Sequence, residues 1–76
     1  MAAVEPKQQF GANLRRLRTA AGLTQMELSN RSGLDMAEIS RLERGLKDPR
    51  LSTVVRLAAG LQTDPSELVR GIRLAT

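Results

Sequence analysis

The 76-residue sequence contains no cysteine and no histidine, and its only aromatic residue is Phe10. Without cysteine, neither a disulfide nor thiolate chemistry is possible. The lack of histidine removes the commonest general base and the commonest metal ligand. Any core must therefore be built from aliphatic side chains, and the composition argues against an enzyme or a metal site.

Long apolar runs are also missing, so no segment is expected to cross a membrane. The start of the chain, MAAVEPK, lacks the basic and apolar regions of a secretory signal, which predicts a cytoplasmic protein. No phosphate-binding glycine loop, paired acid cluster or metal-ligand spacing is present. We therefore expect no cofactor, no metal and no small-molecule ligand.

The length predicts one domain over residues 1–76, with a core of only marginal size. Residues 1–6 are expected to form a frayed lead-in and residues 73–76 a tail. The apolar spacing of Phe10, Leu14, Leu17 and Ala21 predicts one buried stripe on a first helix. Gly11, near its start, indicates either close packing against a neighbouring helix or a slightly weakened first turn. The expected fold is all-α, with helices at about 7–21, 25–32 and 36–44, a fourth capped by Ser52, and a fifth capped by Asp64 that carries Leu68, Val69 and Ile72.

The stretch from Thr24 to Gly45 predicts two short helices separated by a glycine turn. Thr24 has the spacing to Glu27 that is typical of a capping box. Gly33 supplies a left-handed position that ends a helix. Asp35 and Glu38 repeat the cap spacing for the next helix, and this succession is the helix-turn-helix geometry.

The same stretch resembles the helix-turn-helix of the Cro and phage-repressor type, the XRE family. The resemblance extends from about Phe10 to Val69. It implies a compact five-helix, lambda-repressor-like DNA-binding domain with helices 2 and 3 as the helix-turn-helix. The matching residues are Leu23-Thr24-Gln25, Glu27-Leu28, Gly33-Leu34, Ile39-Ser40-Arg41 and Leu42-Glu43-Arg44-Gly45.

The resemblance places four residues against DNA bases, namely Met36, Ala37, Ser40 and Arg41. Arg41 suits guanine because a guanidinium donates two hydrogen bonds to it, although a phosphate clamp fits equally well. Several phage repressors carry polar amides at the positions of Met36 and Ala37, so DNA shape is expected to supply more of the specificity here. Glu38 is expected to cap its helix, with acceptance of a hydrogen bond from cytosine as the alternative.

The net charge is +4, from twelve basic and eight acidic residues. A solvated basic face is the alternative, but the helix-turn-helix favours phosphate contact for the basic clusters. Arg18 and Glu43 match an ion pair between helices 1 and 3 in related domains, with a free surface arginine as the alternative. The residues expected to contact phosphates are Gln25, Arg44, Lys47, Arg50 and Arg15.

We interpret the chain as a sequence-specific DNA-binding transcriptional regulator that occupies a pseudo-palindromic operator as a homodimer. Its partner is double-stranded DNA. The alternative is a protein-interaction module of the same fold with weak DNA binding, as in antitoxins and coactivators. The apolar side chains of Met36 and Ala37 are the feature that favours this alternative. The apolar residues near the carboxyl end exceed what one short helix can bury, so we predict a dimer interface of Leu68, Val69, Ile72 and Leu74.

Overall fold

The computed structural model describes residues 4–74, and it confirms the all-α fold with five helices. Between residues 4 and 74 there is no β-strand. None of the helices in this range is long and apolar enough to cross a membrane. The helices are α1 Pro6–Ala20, α2 Gln25–Ser32, α3 Met36–Glu43, α4 Leu51–Leu61 and α5 Pro65–Leu68.

Helix α1 begins one residue earlier than expected, at Pro6. Proline suits the first helical position, because the N–H that it lacks would have no partner there. The predicted lead-in thus ends at Glu5, and residues 1–3 lie outside the described range. At the other end, Gly22 takes a left-handed φ of 73° just after the helix. Ala21 therefore leaves the predicted stripe and is exposed.

Helices α4 and α5 differ more from expectation. Ser52 does not cap α4, since Arg50 holds the N-cap position and Ser52 lies in the first turn. A proline restricts the residue before it rather than the residue after it, so the helix can start directly after Pro49-Arg50. Helix α5 is only four residues long, because Val69 leaves the helical conformation and Gly71 turns to a φ of 76°.

The core is formed by residues from all five helices and from the turn at Leu23. At Gly11 the backbone of α1 approaches α3 so closely that an added Cβ would overlap the Leu42 carbonyl oxygen and lie 2.7 Å from that of Glu43. Close packing is therefore the reason for this glycine. The buried apolar residues are Phe10, Leu14, Leu23, Leu28, Ile39, Leu42, Val54, Leu57, Ala58, Leu61 and Leu68.

The position of Leu68 differs from the predicted dimer interface. Its side chain is fully buried in the core of its own chain, so it offers no surface to a second copy. Ile72 is partly buried against the same core. Val69 and Leu74 are exposed. The apolar surface at this end of the chain is therefore smaller than the sequence pattern predicts.

Candidate nucleic-acid interface

Helix α2 is capped at its start by the side chains of Thr24 and Glu27. The Thr24 hydroxyl accepts a hydrogen bond from the Glu27 N–H at 3.0 Å, and the Glu27 carboxylate accepts one from the Thr24 N–H at 2.9 Å. The hydrogen bond that the carboxylate accepts from the Thr24 backbone, followed by its interaction with the Thr24 hydroxyl, lowers the pKa of Glu27. The predicted capping box is thus confirmed, and it fixes where the helix-turn-helix begins.

The turn between α2 and α3 is built on Gly33, which has a φ of 77° and donates its N–H to the Ser29 carbonyl at 3.0 Å. The Ser29 hydroxyl donates a hydrogen bond to the Leu34 carbonyl. The Leu34 N–H in turn donates to the Ser32 hydroxyl at 3.3 Å. The two serines therefore fasten the chain beyond the glycine, which sets the direction in which α3 leaves the turn.

The start of α3 differs from the start of α2. Asp35 holds the predicted N-cap position, but its side chain accepts no capping hydrogen bond. Glu38 does not reach back to complete a second capping box. Its carboxylate pairs with the Lys47 ammonium at 3.4 Å instead. Because the first N–H groups of α3 are not capped by side chains, they remain free for an external acceptor.

Helix α3 has a buried side and an exposed side. Ile39 and Leu42 are completely buried beneath it. The four residues expected to contact bases lie mainly on the exposed part, since Ser40 is half-buried and Met36, Ala37 and Arg41 are exposed. Arg44, which forms the C-cap, is also exposed and donates a hydrogen bond from Nε to the Ser40 carbonyl at 3.4 Å.

A partly buried ion pair joins α1 to α3, as the resemblance implies. Arg18 donates from Nε to Oε2 of Glu43 at 2.6 Å and from Nη2 to Oε1 at 3.0 Å. A third bond runs from Arg18 Nη1 to the Leu23 carbonyl at 2.9 Å. The carboxylate raises the pKa of Arg18 by hydrogen bonding. Arg18 is therefore occupied inside the protein and is not a free surface arginine.

Gln25 is attached to the same carboxylate. Its side-chain amide donates to Oε1 of Glu43 at 3.1 Å, the oxygen that also accepts from Arg18. This bond holds the amide at the first turn of α2, beside the end of α3. The second N–H of the amide is left for another acceptor, so the contact with Glu43 positions Gln25 without using up its capacity to donate.

On another side of α3, a polar cleft of about 320 Å³ lies between this helix and the start of α4. Three basic side chains surround it, those of Lys47, Arg50 and Arg56. Arg50 is the N-cap of α4 and forms no side-chain cap, so the positive end of that helix is not neutralised by a capping carboxylate. The cleft is therefore suited to an anion. Its remaining lining is formed by Leu34, Glu38, Ser52 and Thr53.

Arg15 and Arg16 are both exposed on α1, but they lie on different sides of it. Arg15 is four residues after Gly11, the residue in contact with the end of α3, so it lies towards α3. Arg16 is three residues after Asn13, whose amide binds the chain just after α5. Only the first of the two arginines is therefore near the candidate interface.

Sequence reasoning missed Asn13 and Arg56. The buried Asn13 amide donates to the carbonyls of Leu68 and Arg70, both at 2.9 Å, and its oxygen accepts from Gln9 at 3.0 Å. Asparagine within an apolar helix stripe was the available signal, since a buried amide must find partners. Arg56 lies on α4, away from the basic runs of the sequence, and only the packing of α4 brings it to the cleft.

Comparison with known proteins agrees with this geometry. The family model of the helix-turn-helix domain matches residues 9–70, most of the chain. The chain belongs to this family. It is a helix-turn-helix domain of the Cro and phage-repressor type, which confirms the resemblance. Members of this family are DNA-binding transcriptional regulators rather than enzymes.

Two relatives of this helix-turn-helix domain match nearly end to end. The HTH-type transcriptional regulator y4dJ of Sinorhizobium fredii is 39% identical over 66 residues, which are 87% of this chain and 86% of that protein. The restriction-modification controller protein C.AhdI of Aeromonas hydrophila is 42% identical, with a TM-score of 0.79 over 82% of this chain and 94% of that one.

A third structure shows the same helix-turn-helix fold at lower identity. The clp gene regulator ClgR of Corynebacterium glutamicum is 26% identical, with a TM-score of 0.82 over 87% of this chain and 86% of that one. Similarity at this level supports the arrangement of the helices and the class of transcriptional regulator.

Proposed function

We propose that the protein is a sequence-specific transcriptional regulator that inserts α3 into the major groove of an operator. The observation that carries this proposal is the exposed side of α3, which bears Ala37 and Arg41 and has donors for phosphate on both flanks. A helix in this position reads base edges, while groups beside it bind the sugar–phosphate backbone. The base-contacting residues we propose are Met36, Ala37, Ser40 and Arg41.

The flanking groups are assigned to phosphates by their position. Gln25 is held by Glu43 at the start of α2, with one amide N–H free and the positive end of that helix behind it. On the other flank, the cleft offers Lys47 and Arg50 together with the uncapped start of α4. The full set of proposed phosphate contacts is Gln25, Arg44, Lys47, Arg50 and Arg15.

We further propose that the protein binds as a homodimer on a pseudo-palindromic operator. One α3 contacts only a few base pairs, which is too little for specificity in a genome. Two copies related by a two-fold axis place their helices in successive major grooves, about 34 Å apart. The operator is then expected to contain two inverted half-sites one helical turn apart.

A protein-interaction module is the second candidate, because the exposed surface near the starts of α2 and α3 is partly apolar. Met26 is 59% exposed and Met36 is 45% exposed. Methionine is common on surfaces that bind protein partners. Such a module would bind DNA weakly and without preference for sequence.

A titration with DNA distinguishes the two functions. The protein is added to the DNA upstream of its own gene and to a scrambled copy, at several salt concentrations. A sequence-specific regulator should prefer the first DNA by about a thousandfold or more. Its affinity should also fall steeply with salt as counterions are released. Equal, weak affinity for both DNAs would contradict the proposal and favour the interaction module.

Two arginines of α1 provide a matched pair for the same titration. Arg15→Gln should weaken binding to both DNAs and reduce the salt slope by about one, since one phosphate contact is lost. Arg16→Gln removes the same charge from the other side of the helix and should change neither quantity by as much. An equal effect of the two substitutions would show that only net charge matters at these positions.

A further inference from the structure

An apolar groove of about 310 Å³ lies between the start of α1, the loop before α4 and the segment after α5. None of the residues proposed to contact DNA lines it. Phe10 forms part of its inner wall, and Val69 and Ile72 line the side formed by the carboxyl-terminal segment. The groove therefore includes two of the four residues that the sequence analysis assigned to a dimer interface.

Leu51 stands at the edge of this groove and is 81% exposed. Leucine at the first position of a helix contributes nothing to the core when it is so exposed, and its contact with water is unfavourable. A partner seated in the groove would cover Leu51 and the apolar lining together and so remove both from water.

One cation and one anion also line the groove, Lys7 on α1 and Asp48 in the loop before α4. Neither forms an ion pair with any residue between 4 and 74, where the ion pairs are Arg18–Glu43, Lys47–Glu38 and Arg70–Glu67. A surface that carries one charge of each sign beside an apolar centre is complementary to itself. A two-fold axis between Lys7 and Asp48 brings each of these charges to the opposite one of the second copy.

We infer that this groove is the contact surface for a second copy of the chain, with Lys7 of each copy facing Asp48 of the other. The inference rests on the proposed homodimer and specifies how it is held together. Leu51 of each copy is then removed from water against the groove of its neighbour. The two ion pairs favour the two-fold orientation of the copies, because only that orientation forms both pairs at once.

The test exchanges the two charges and measures association by sedimentation equilibrium at low salt. Lys7→Glu and Asp48→Lys should each weaken dimerisation about tenfold, since two-fold symmetry makes each substitution act twice. The double variant Lys7→Glu/Asp48→Lys recreates both pairs in the reverse sense and should restore association. Arg16→Glu, which makes the same change of charge on α1 outside the groove, is the matched control and should dimerise like the wild type.

Folding is not expected to limit this test. Lys7 lies in the first turn of α1, where a carboxylate interacts favourably with the helix dipole, and Asp48 is exposed in a loop. Thermal unfolding of each variant verifies this point. Leu51→Gln is a further variant, which should weaken dimerisation while leaving the melting temperature nearly unchanged.

The results distinguish failure of the proposed interface from failure of the proposed homodimer. Recovery of association in the double variant supports the paired groove. If the wild type dimerises and the charge variants dimerise equally well, the groove is not the interface, whereas the proposal of a homodimer is unaffected. Single variants that weaken association without recovery in the double variant overturn the pairing of Lys7 with Asp48. A wild type that is monomeric both in solution and on operator DNA overturns the groove together with the homodimer.

Discussion

The two sides of α3 differ in how strongly the rest of the chain fixes them. On the inner side, Ile39 and Leu42 are fully buried, and Glu43 is held by a bidentate bond from Arg18. On the outer side, Ala37 and Arg41 are exposed to solvent. Stability and DNA recognition are therefore expected to respond to different residues of one eight-residue helix, and substitutions can test that separation.

The largest effect is expected on the inner side, from Arg18→Met. This change leaves the Glu43 carboxylate, whose side chain is 3% exposed, without its cation. We expect a loss of about 3–5 kcal/mol in the free energy of unfolding, measured by urea denaturation. The double variant Arg18→Met/Glu43→Leu should recover most of the loss, because it leaves no unpaired charge. Little destabilisation by Arg18→Met alone would show that solvent screens the pair.

Gly11→Ala should have the next largest effect. Alanine favours helix by about 1 kcal/mol over glycine, so a glycine kept only for flexibility would be improved by this change. The new Cβ would overlap the α3 backbone, however, and we expect a net loss of about 1–3 kcal/mol by the same measurement.

The neighbouring Ala12 is exposed and serves as the control for that substitution. Ala12→Gly should cost only its helix propensity, about 1 kcal/mol or less. The sign of the Gly11→Ala effect decides the matter, since stabilisation would contradict the close contact between α1 and α3.

On the outer side, Arg41→Ala should leave the stability unchanged and weaken binding to the operator. If Arg41 pairs with guanine, the loss is about 1–3 kcal/mol on cognate DNA, with relaxed preference at one base pair in each half-site. Arg44→Ala, the matched change one turn later, should weaken cognate and scrambled DNA alike and reduce the salt slope by about one. Equal losses for Arg41→Ala on both DNAs would make it a phosphate clamp.

Glu38 provides a smaller test at the boundary between the two sides. Its carboxylate pairs with Lys47, and the pair is partly exposed, so it is worth about 1 kcal/mol or less. Glu38→Gln should free Lys47 for phosphate and slightly strengthen binding to every DNA sequence. Weaker binding to cognate DNA alone would instead indicate that Glu38 accepts a hydrogen bond from cytosine.

The smallest effect concerns acid sensitivity at the start of α2. Because folding lowers the pKa of Glu27 from its ordinary value of 4.5, its charge stabilises the folded state above that pH. This contribution is lost as the pH falls through the folded-state pKa. Glu27→Gln keeps a hydrogen-bonding side chain but does not titrate, so its melting temperature should fall less steeply with acid than that of the wild type. Identical pH profiles would contradict the role of the charge.

The sequence predicted the elements that depend on local signals. The Thr24 and Glu27 capping box and the left-handed Gly33 fixed the bounds of α2 as predicted. The predictions failed where distant contacts decide, since Leu68 is buried by packing across the whole domain and Glu38 bonds to a lysine nine residues away. Arg56 reaches the polar cleft for the same reason.

The proposed site shows the same division between local and distant information. The resemblance identified the Arg18–Glu43 pair, but no local pattern indicated that Gln25 shares the Glu43 carboxylate. Nor did the pattern indicate that Lys7 and Asp48 line one groove, because these residues are 41 positions apart in the chain and only the assembled fold brings them together.

The amide of Asn13 joins the first helix to the segment around the end of α5. Its hydrogen bonds to Leu68 and Arg70 span 55 and 57 residues, so nearly the whole domain lies between the points that it joins. The two bonds hold the backbone on either side of Val69, directly after the four-residue helix α5. The path of the chain from Leu68 to Arg70 is thus set by contacts with the first helix, so a substitution at Asn13 reaches a segment more than fifty residues away.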